Sequence, residues 1–108
     1  MKATYWQRGE SLDYVNSGVT VIEANTIIDL KTRIGITGTS INPKEKGSLH
    51  VTGVYQIKKK DEEAIALGAA VYYAEDGITA TASTNTPAGY AAEDSAAGAE
   101  AILVKLLG

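Results

Sequence analysis

Cysteine is absent from this chain of 108 residues. That removes a disulfide framework, a thiol nucleophile and a thiolate zinc site from consideration. The single histidine, His50, leaves no material for a histidine-rich metal centre or a catalytic histidine pair. Phenylalanine is missing, and one tryptophan and six tyrosines make up the whole aromatic complement. Basic residues are outnumbered: 10 Lys and Arg stand against 13 Asp and Glu, a net charge of −3. That balance argues against a broad phosphate-binding surface, so no nucleic-acid partner is expected. Long apolar runs are lacking as well. The uncharged stretch at residues 64–74 covers 11 residues, whereas a bilayer-spanning helix needs roughly 20, so no membrane partner is expected either. The opening M-K-A-T-Y-W-Q-R-G-E has no apolar h-region and no small-residue cleavage site, which makes the cytoplasm the default compartment of synthesis.

What remains is 44% hydrophobic and 21% charged, the balance of an ordinary soluble domain. A domain of this size buries only about two thirds of its unfolded surface. High stability in so small a chain without cross-links would point to oligomerisation.

The hydrophobic pattern reads as many short strands separated by turn signals. Residues 1–10 are mostly polar, lack periodicity and carry Trp6, and so read as an extended arm. Strand-type runs follow at 12–17, 19–23, 26–30 and 33–37. Residues 38–47, with a glycine at each end, a proline and three charges, read as a surface loop. The most regular alternation is S-L-H-V-T-G-V-Y-Q-I-K at 48–58, interrupted by Gly53, which suggests a bulge or a sharp bend. Residues 59–67 are the one helical candidate, opened by D-E-E and closed by Gly68. Runs at 69–74 and 78–82 flank an Asp-Gly hairpin signal at 76–77. A run at 88–93, a turn at 94–98 and the terminal strand at 101–107 complete the chain. That last strand is apolar on both faces apart from Lys105, so it is either central or covered by another subunit. The expected fold is all-β: a small β-barrel or sandwich of short antiparallel strands, with an arm at 1–10, a single β-domain at 11–108 and at most one helical turn near 60–67. An internal echo links I-E-A-N-T-I-I at 22–28 to I-A-L-G-A-A-V at 65–71, each an apolar residue, an Asn or Gly turn and a strand.

Catalytic motifs are not found. There is no G-x-S-x-G, no H-E-x-x-H and no G-x-x-x-x-G-K-[ST]. His50 falls on the polar face of its strand and reads as a surface residue; Asp13 could orient it only if the fold brought the two together. Asp61, Glu62 and Glu63 point in different directions on a helix or strand, and beside Lys58, Lys59 and Lys60 they read as a solvated charge run rather than a cation site. Tyr72 and Tyr73 face opposite sides of a strand, one inward and one outward. Trp6 has nothing local to bury against, so its arm either folds back on its own body or lies on a neighbouring subunit. No cofactor and no metal is expected.

The residues also carry a resemblance. The opening A-T-Y-W-Q-R-G-E-S-L-D-Y-V-N-S, then V-I-E-A-N-T-I-I, R-I-G-I-T-G, G-S-L-H-V-T-G-V-Y-Q-I, L-G-A-A-V-Y-Y, P-A-G-Y-A and I-L-V-K-L-L-G, in that order, resemble the capsid cement (decoration) proteins of tailed phages and prophages. The likeness runs over essentially the whole chain, and its order and spacing carry it rather than any one block. One departure is Asn25 where the family's turn has glycine; asparagine tolerates the left-handed conformation that such a turn needs.

The resemblance implies a non-enzymatic structural protein that binds the outside of the expanded icosahedral head. It implies homotrimers at threefold and quasi-threefold positions, which reinforce the shell against internal DNA pressure. The partners implied are the major capsid protein and the chain itself, and the location is the outer virion surface after synthesis in the host bacterial cytoplasm. Interface anchors are most often Trp, Tyr and Arg, so Tyr5, Trp6, Arg8 and Tyr14 are the expected capsid-binding residues, with the 38–47 loop next. The two-faced terminal strand supplies the expected trimer contact, Ile102, Val104 and Leu106. Two other readings are a glycan-binding β module on the virion surface and a tail or head–tail joining protein.

Overall fold

A computed structural model describes residues 1–107. Among them it contains nine strands and no helix. They are β1 (Ser11–Val15), β2 (Ile27–Asp29), β3 (Ile34–Thr37), β4 (Lys46–His50), β5 (Val54–Lys58), β6 (Ala70–Ala74), β7 (Gly77–Thr79), β8 (Thr86–Ala91) and β9 (Ala101–Leu106). Two antiparallel sheets result, a four-stranded one ordered β1-β4-β3-β2 and a five-stranded one ordered β5-β9-β8-β6-β7. The arrangement is sandwich-like. The five-stranded sheet curls until its two edges touch: Lys59 and Ile78 form a single parallel bridge, and the Lys60 amide donates to the Ile78 carbonyl at 2.8 Å. One bridge is not a ladder, so the barrel alternative is not realised as a closed barrel.

The most regular sequence run is the one the fold divides. Residues 48–58 supply parts of two strands in two different sheets, β4 and β5, and Gly53 at φ +118° makes the break. An L side chain rarely adopts that conformation, which is why a glycine interrupts a strand alternation broken otherwise only by Val54 on the polar face. Three further expectations are corrected. Residues 19–23 form no strand; only Ile22 pairs, in a bridge with Ile41. Residues 59–67 form no helix, because Ile65 is drawn into a bridge with Ser95 and is 4% exposed. The 38–47 loop is anchored rather than free, since Ile41 within it is 2% exposed and β4 already begins at Lys46. The expected hairpin is present: β6 and β7 pair through Ala74–Gly77 and Tyr73–Ile78.

The internal echo extends to the whole topology. Residues 11–51 and 54–106 form two halves with the same strand order, β1-β4-β3-β2 and β5-β9-β8-β6, and β7 is an addition to the second half. Four bridging residues, Ile22, Ile41, Ile65 and Ser95, are each followed three positions later by a left-handed residue: Asn25, Lys44, Gly68 and Gly98. Asn25 adopts φ 65°, so the turn expected to survive the loss of glycine does survive. The amides of Asn25 and Gly68 make matching bonds, to the carbonyls of Thr37 (2.8 Å) and Ala91 (2.9 Å). Even the buried polar groups match. Asn16 Nδ2 donates to the carbonyls of Ile41 (2.9 Å) and Thr20 (2.8 Å). At the corresponding place Lys59 Nζ donates to Ser95 Oγ and the Ala96 carbonyl, both at 3.0 Å. These bonds satisfy groups that would be costly to bury unpaired.

The core joins the halves. Ile34 and Ile36 of β3 lie in one cluster with Ile57, Ile65, Val71, Ile78, Val104 and Leu106 of the second half. A polar tie adds to it: Thr86 Oγ1 donates to Asp29 Oδ1 at 2.7 Å, linking β8 to β2. The strand β9 is central, flanked by β5 and β8, which answers one of the two readings of its two-faced apolar pattern. Its Ile102, Val104 and Leu106 are 3%, 0% and 1% exposed within the single chain. The expected trimer contact through these three side chains is therefore corrected: they fill the protomer's own core and leave no surface for a second copy to touch.

Candidate functional site

The chemistry-bearing residues are tied into the fold. His50 is half-buried in β4, paired across strands with Ser11 and Ile36, while Asp13 has its ion-pair partner in Lys46 at 3.7 Å. Of the carboxylates at 61–63, Asp61 accepts the Ala80 amide at 2.9 Å. That bond, helped by the Thr79 hydroxyl and by Lys59 and Lys60, holds its carboxyl below the ordinary value against an opposing contribution from burial. No group of three or more metal-ligating side chains is brought together among the described residues. A groove of about 1050 Å³ runs along Gln56–Glu62 and residues 97–101. Several of its charges have structural partners: Lys59 bonds Ser95 and Ala96, Lys60 pairs with Asp76 at 3.6 Å, and Asp61 holds the Ala80 amide.

The apolar surface is more telling. Among the described residues eleven large hydrophobic side chains are exposed, and seven of them lie in the first 21 positions: Met1, Tyr5, Trp6, Leu12, Val15, Val19 and Val21. Tyr5 and Trp6 are 79% and 88% exposed, so the arm does not bury its aromatics against its own body. Its side-chain contacts are short-range and exposed: Arg8 pairs with Glu10 at 3.1 Å, and Gln7 donates to the Ser11 carbonyl at 3.4 Å; only at its root does the Glu10 carbonyl accept the Val51 amide at 3.1 Å. The arm leads directly into β1, an edge strand of its sheet, whose outer rim of amides and carbonyls faces away from β4. On that strand Leu12 and Val15 are 42% and 52% exposed, and the loop beyond presents Val19 and Val21.

Of the residues expected to bind, Tyr5, Trp6 and Arg8 lie together on the exposed arm, whereas Tyr14 lies half-buried on β1, opposite Gly47. Sequence reasoning missed Val19 and Val21. Their alternation with Thr20 suggested a strand, and a strand would have hidden one face. The signal against it is the N-S-G turn at 16–18, where the Gly18 amide bonds Asn16 Oδ1 at 3.0 Å and swings the valines outward.

An exposed aromatic arm, an edge strand and a run of exposed valines thus follow one another in the first 21 positions. No curated protein matches the chain, and no solved structure matches it. A family model for phage cement proteins matches residues 6–106. The match takes in both halves, β1 and the end of the arm from Trp6 onward, and it assigns a structural role in a phage capsid: the chain belongs to the phage cement protein family.

Proposed function

We propose that this chain decorates the outer face of the expanded icosahedral head as trimers at threefold and quasi-threefold positions, and braces the shell against the pressure of packaged DNA without any catalysis. The observation that carries the reading is the arm. Tyr5 and Trp6 stand in solvent at 79% and 88% exposure, and burying a tryptophan is worth about 3 kcal/mol. Tyr5, Trp6 and Arg8 anchor on the major capsid protein, Tyr14 supports the root of the arm, and the free edge of β1 accepts or extends a capsid strand. A trimer with three such arms gains avidity, so each contact can be modest. The composite site exists only where expanded subunits meet, so attachment follows expansion.

The test is co-sedimentation of the purified chain with expanded and unexpanded shells of the cognate phage, followed by a heat challenge. Saturation near one trimer per threefold position, with a raised disruption temperature, is the expected result. No binding to expanded shells, or equal affinity for both forms, would contradict it.

A further inference from the structure

The two halves meet through corresponding residues that are used once inside the chain and then left over at its two ends. In the first half, the cross-strand row Ser11, His50, Ile36 and Ile27 runs across all four strands. This row faces the second half: Ile36 is 3% exposed, and Ile27 and Ile36 line one cleft with Tyr55 and Ile57. The same row in the second half is Val54, Lys105, Tyr90 and Ala70. Directly opposed residues share a sheet face, so these four side chains lie on one surface. Its ends are open, for Val54 is 54% exposed and Tyr90 45%, while Lys105 between them is half-buried with its Nζ bonded to Thr52 Oγ1 at 3.4 Å and the Leu106 carbonyl at 2.9 Å. The residue that receives the row inside the chain also has an uncovered twin. Tyr55 pairs with Val104 as Leu12 pairs with Leu49, and Leu12 is 42% exposed.

A stacked repeat normally ends in a polar cap. Here the open row is Val, Lys, Tyr and Ala, and the aliphatic part of the lysine adds to its apolar character. One lysine does not make a cap, and on the opposite half the matching row still exposes Leu12, although Leu49 beside it is buried. We infer that the open row of the second half docks on the first half of a second copy, with Tyr90 taking the place of Ile36 and Leu12 that of Tyr55. The contact continues the internal interface from one chain to the next. It is head-to-tail, the kind of contact that closes into a ring when the rotation permits. This inference gives the self-association in the proposed function a surface, and it replaces the buried face of β9.

The chain has no native cysteine, so an engineered disulfide reports the contact directly. The full-length Leu12→Cys/Tyr90→Cys double variant is oxidised in solution and on decorated shells, beside each single variant. Linked species larger than dimers, in either setting and from the double variant alone, are expected, because only a contact using both sites on each chain builds them. Tyr90→Glu is measured in parallel by sedimentation and by shell occupancy, and at least a tenfold loss of self-association or occupancy is expected. Single chains from the double variant in both settings, or a Tyr90→Glu chain that associates like the parent, would overturn the contact. Linked species in solution from a chain that ignores shells would uphold this contact while removing the capsid reading.

Discussion

The two halves of the molecule share a strand order but not a task. The second half carries most of the common core, including Ile78 and Val104 at 0% exposure, and gains β7, which ties its edges together at Lys59–Ile78. The first half contributes Ile34 and Ile36 to that core, then leaves Leu12, Val15, Val19 and Val21 bare and continues into the aromatic arm. The same strand order thus appears once in a half that holds most of the core and once in a half that carries the exposed arm. Both halves expose apolar side chains, for Val54, Leu67 and Tyr90 of the second half are exposed too; what sets the first half apart is the aromatic arm joined to it and the run of exposed Val15, Val19 and Val21 within seven positions.

The sharpest way to break this comparison is to damage the second half. Ile78→Ala opens a cavity where β7 closes the curled sheet and is expected to destabilise the chain by about 2–5 kcal/mol in denaturant unfolding. A loss below about 1 kcal/mol would mean that β7 is an ornament rather than a brace. Next are the matched buried polar groups. Asn16→Ala removes the side-chain bonds to the Thr20 and Ile41 carbonyls and takes the acceptor from the Gly18 amide, and Lys59→Met removes the bonds to Ser95 Oγ and the Ala96 carbonyl. Each is expected to cost about 1–3 kcal/mol by the same measurement, and closely similar values would show that the halves still rest on the same device.

How much of this was legible beforehand follows from what sequence patterns encode. Short alternating runs and turn residues gave the all-β class, the hairpin at 76–77 and most strand positions, because these depend on neighbours along the chain. The echo between 22–28 and 65–71 was visible only where both turns need a left-handed residue. Its extension through β4 and β9 was hidden, because there the halves share hydrogen bonds and register but not side chains. The burial of Ile102, Val104 and Leu106 was not legible either. A strand with two apolar faces fits a central position and an intersubunit position equally well, and only the flanking β5 and β8 decide between them. The arm was legible in part: Trp6 announced an unburied aromatic, but not whether its own body would take it in.

Two smaller predictions sharpen the contrast. Deleting residues 1–9 is expected to change folding stability by no more than about 0.5 kcal/mol, as befits residues that pack on nothing. It should still weaken shell binding, with Trp6→Ala alone costing about 2 kcal/mol, or roughly thirtyfold. A deletion that lowers the melting temperature more than it lowers shell binding would place the arm in the fold instead. The mildest effect concerns acid. The Thr86 hydroxyl and the Lys31 amide hold the Asp29 carboxyl below its ordinary value, as Ala80 does for Asp61. Each group has a lower pKa folded than unfolded, so its contribution is present above the ordinary carboxylate range and fades as pH falls through it to the depressed folded values. Asp29→Asn and Asp61→Asn should flatten the loss of melting temperature between pH 5 and pH 3, and an unchanged slope would show that neither bond matters to stability.

The most direct measurement is a cryo-EM reconstruction of expanded shells saturated with the full-length chain. The account predicts three copies around each threefold position, the arm from Tyr5 to Arg8 laid on capsid subunits, and the row Val54, Lys105, Tyr90 and Ala70 of each copy against Leu12 of the next. Density showing the arm in solvent, with the body held to the shell through β6 and β7, would contradict it.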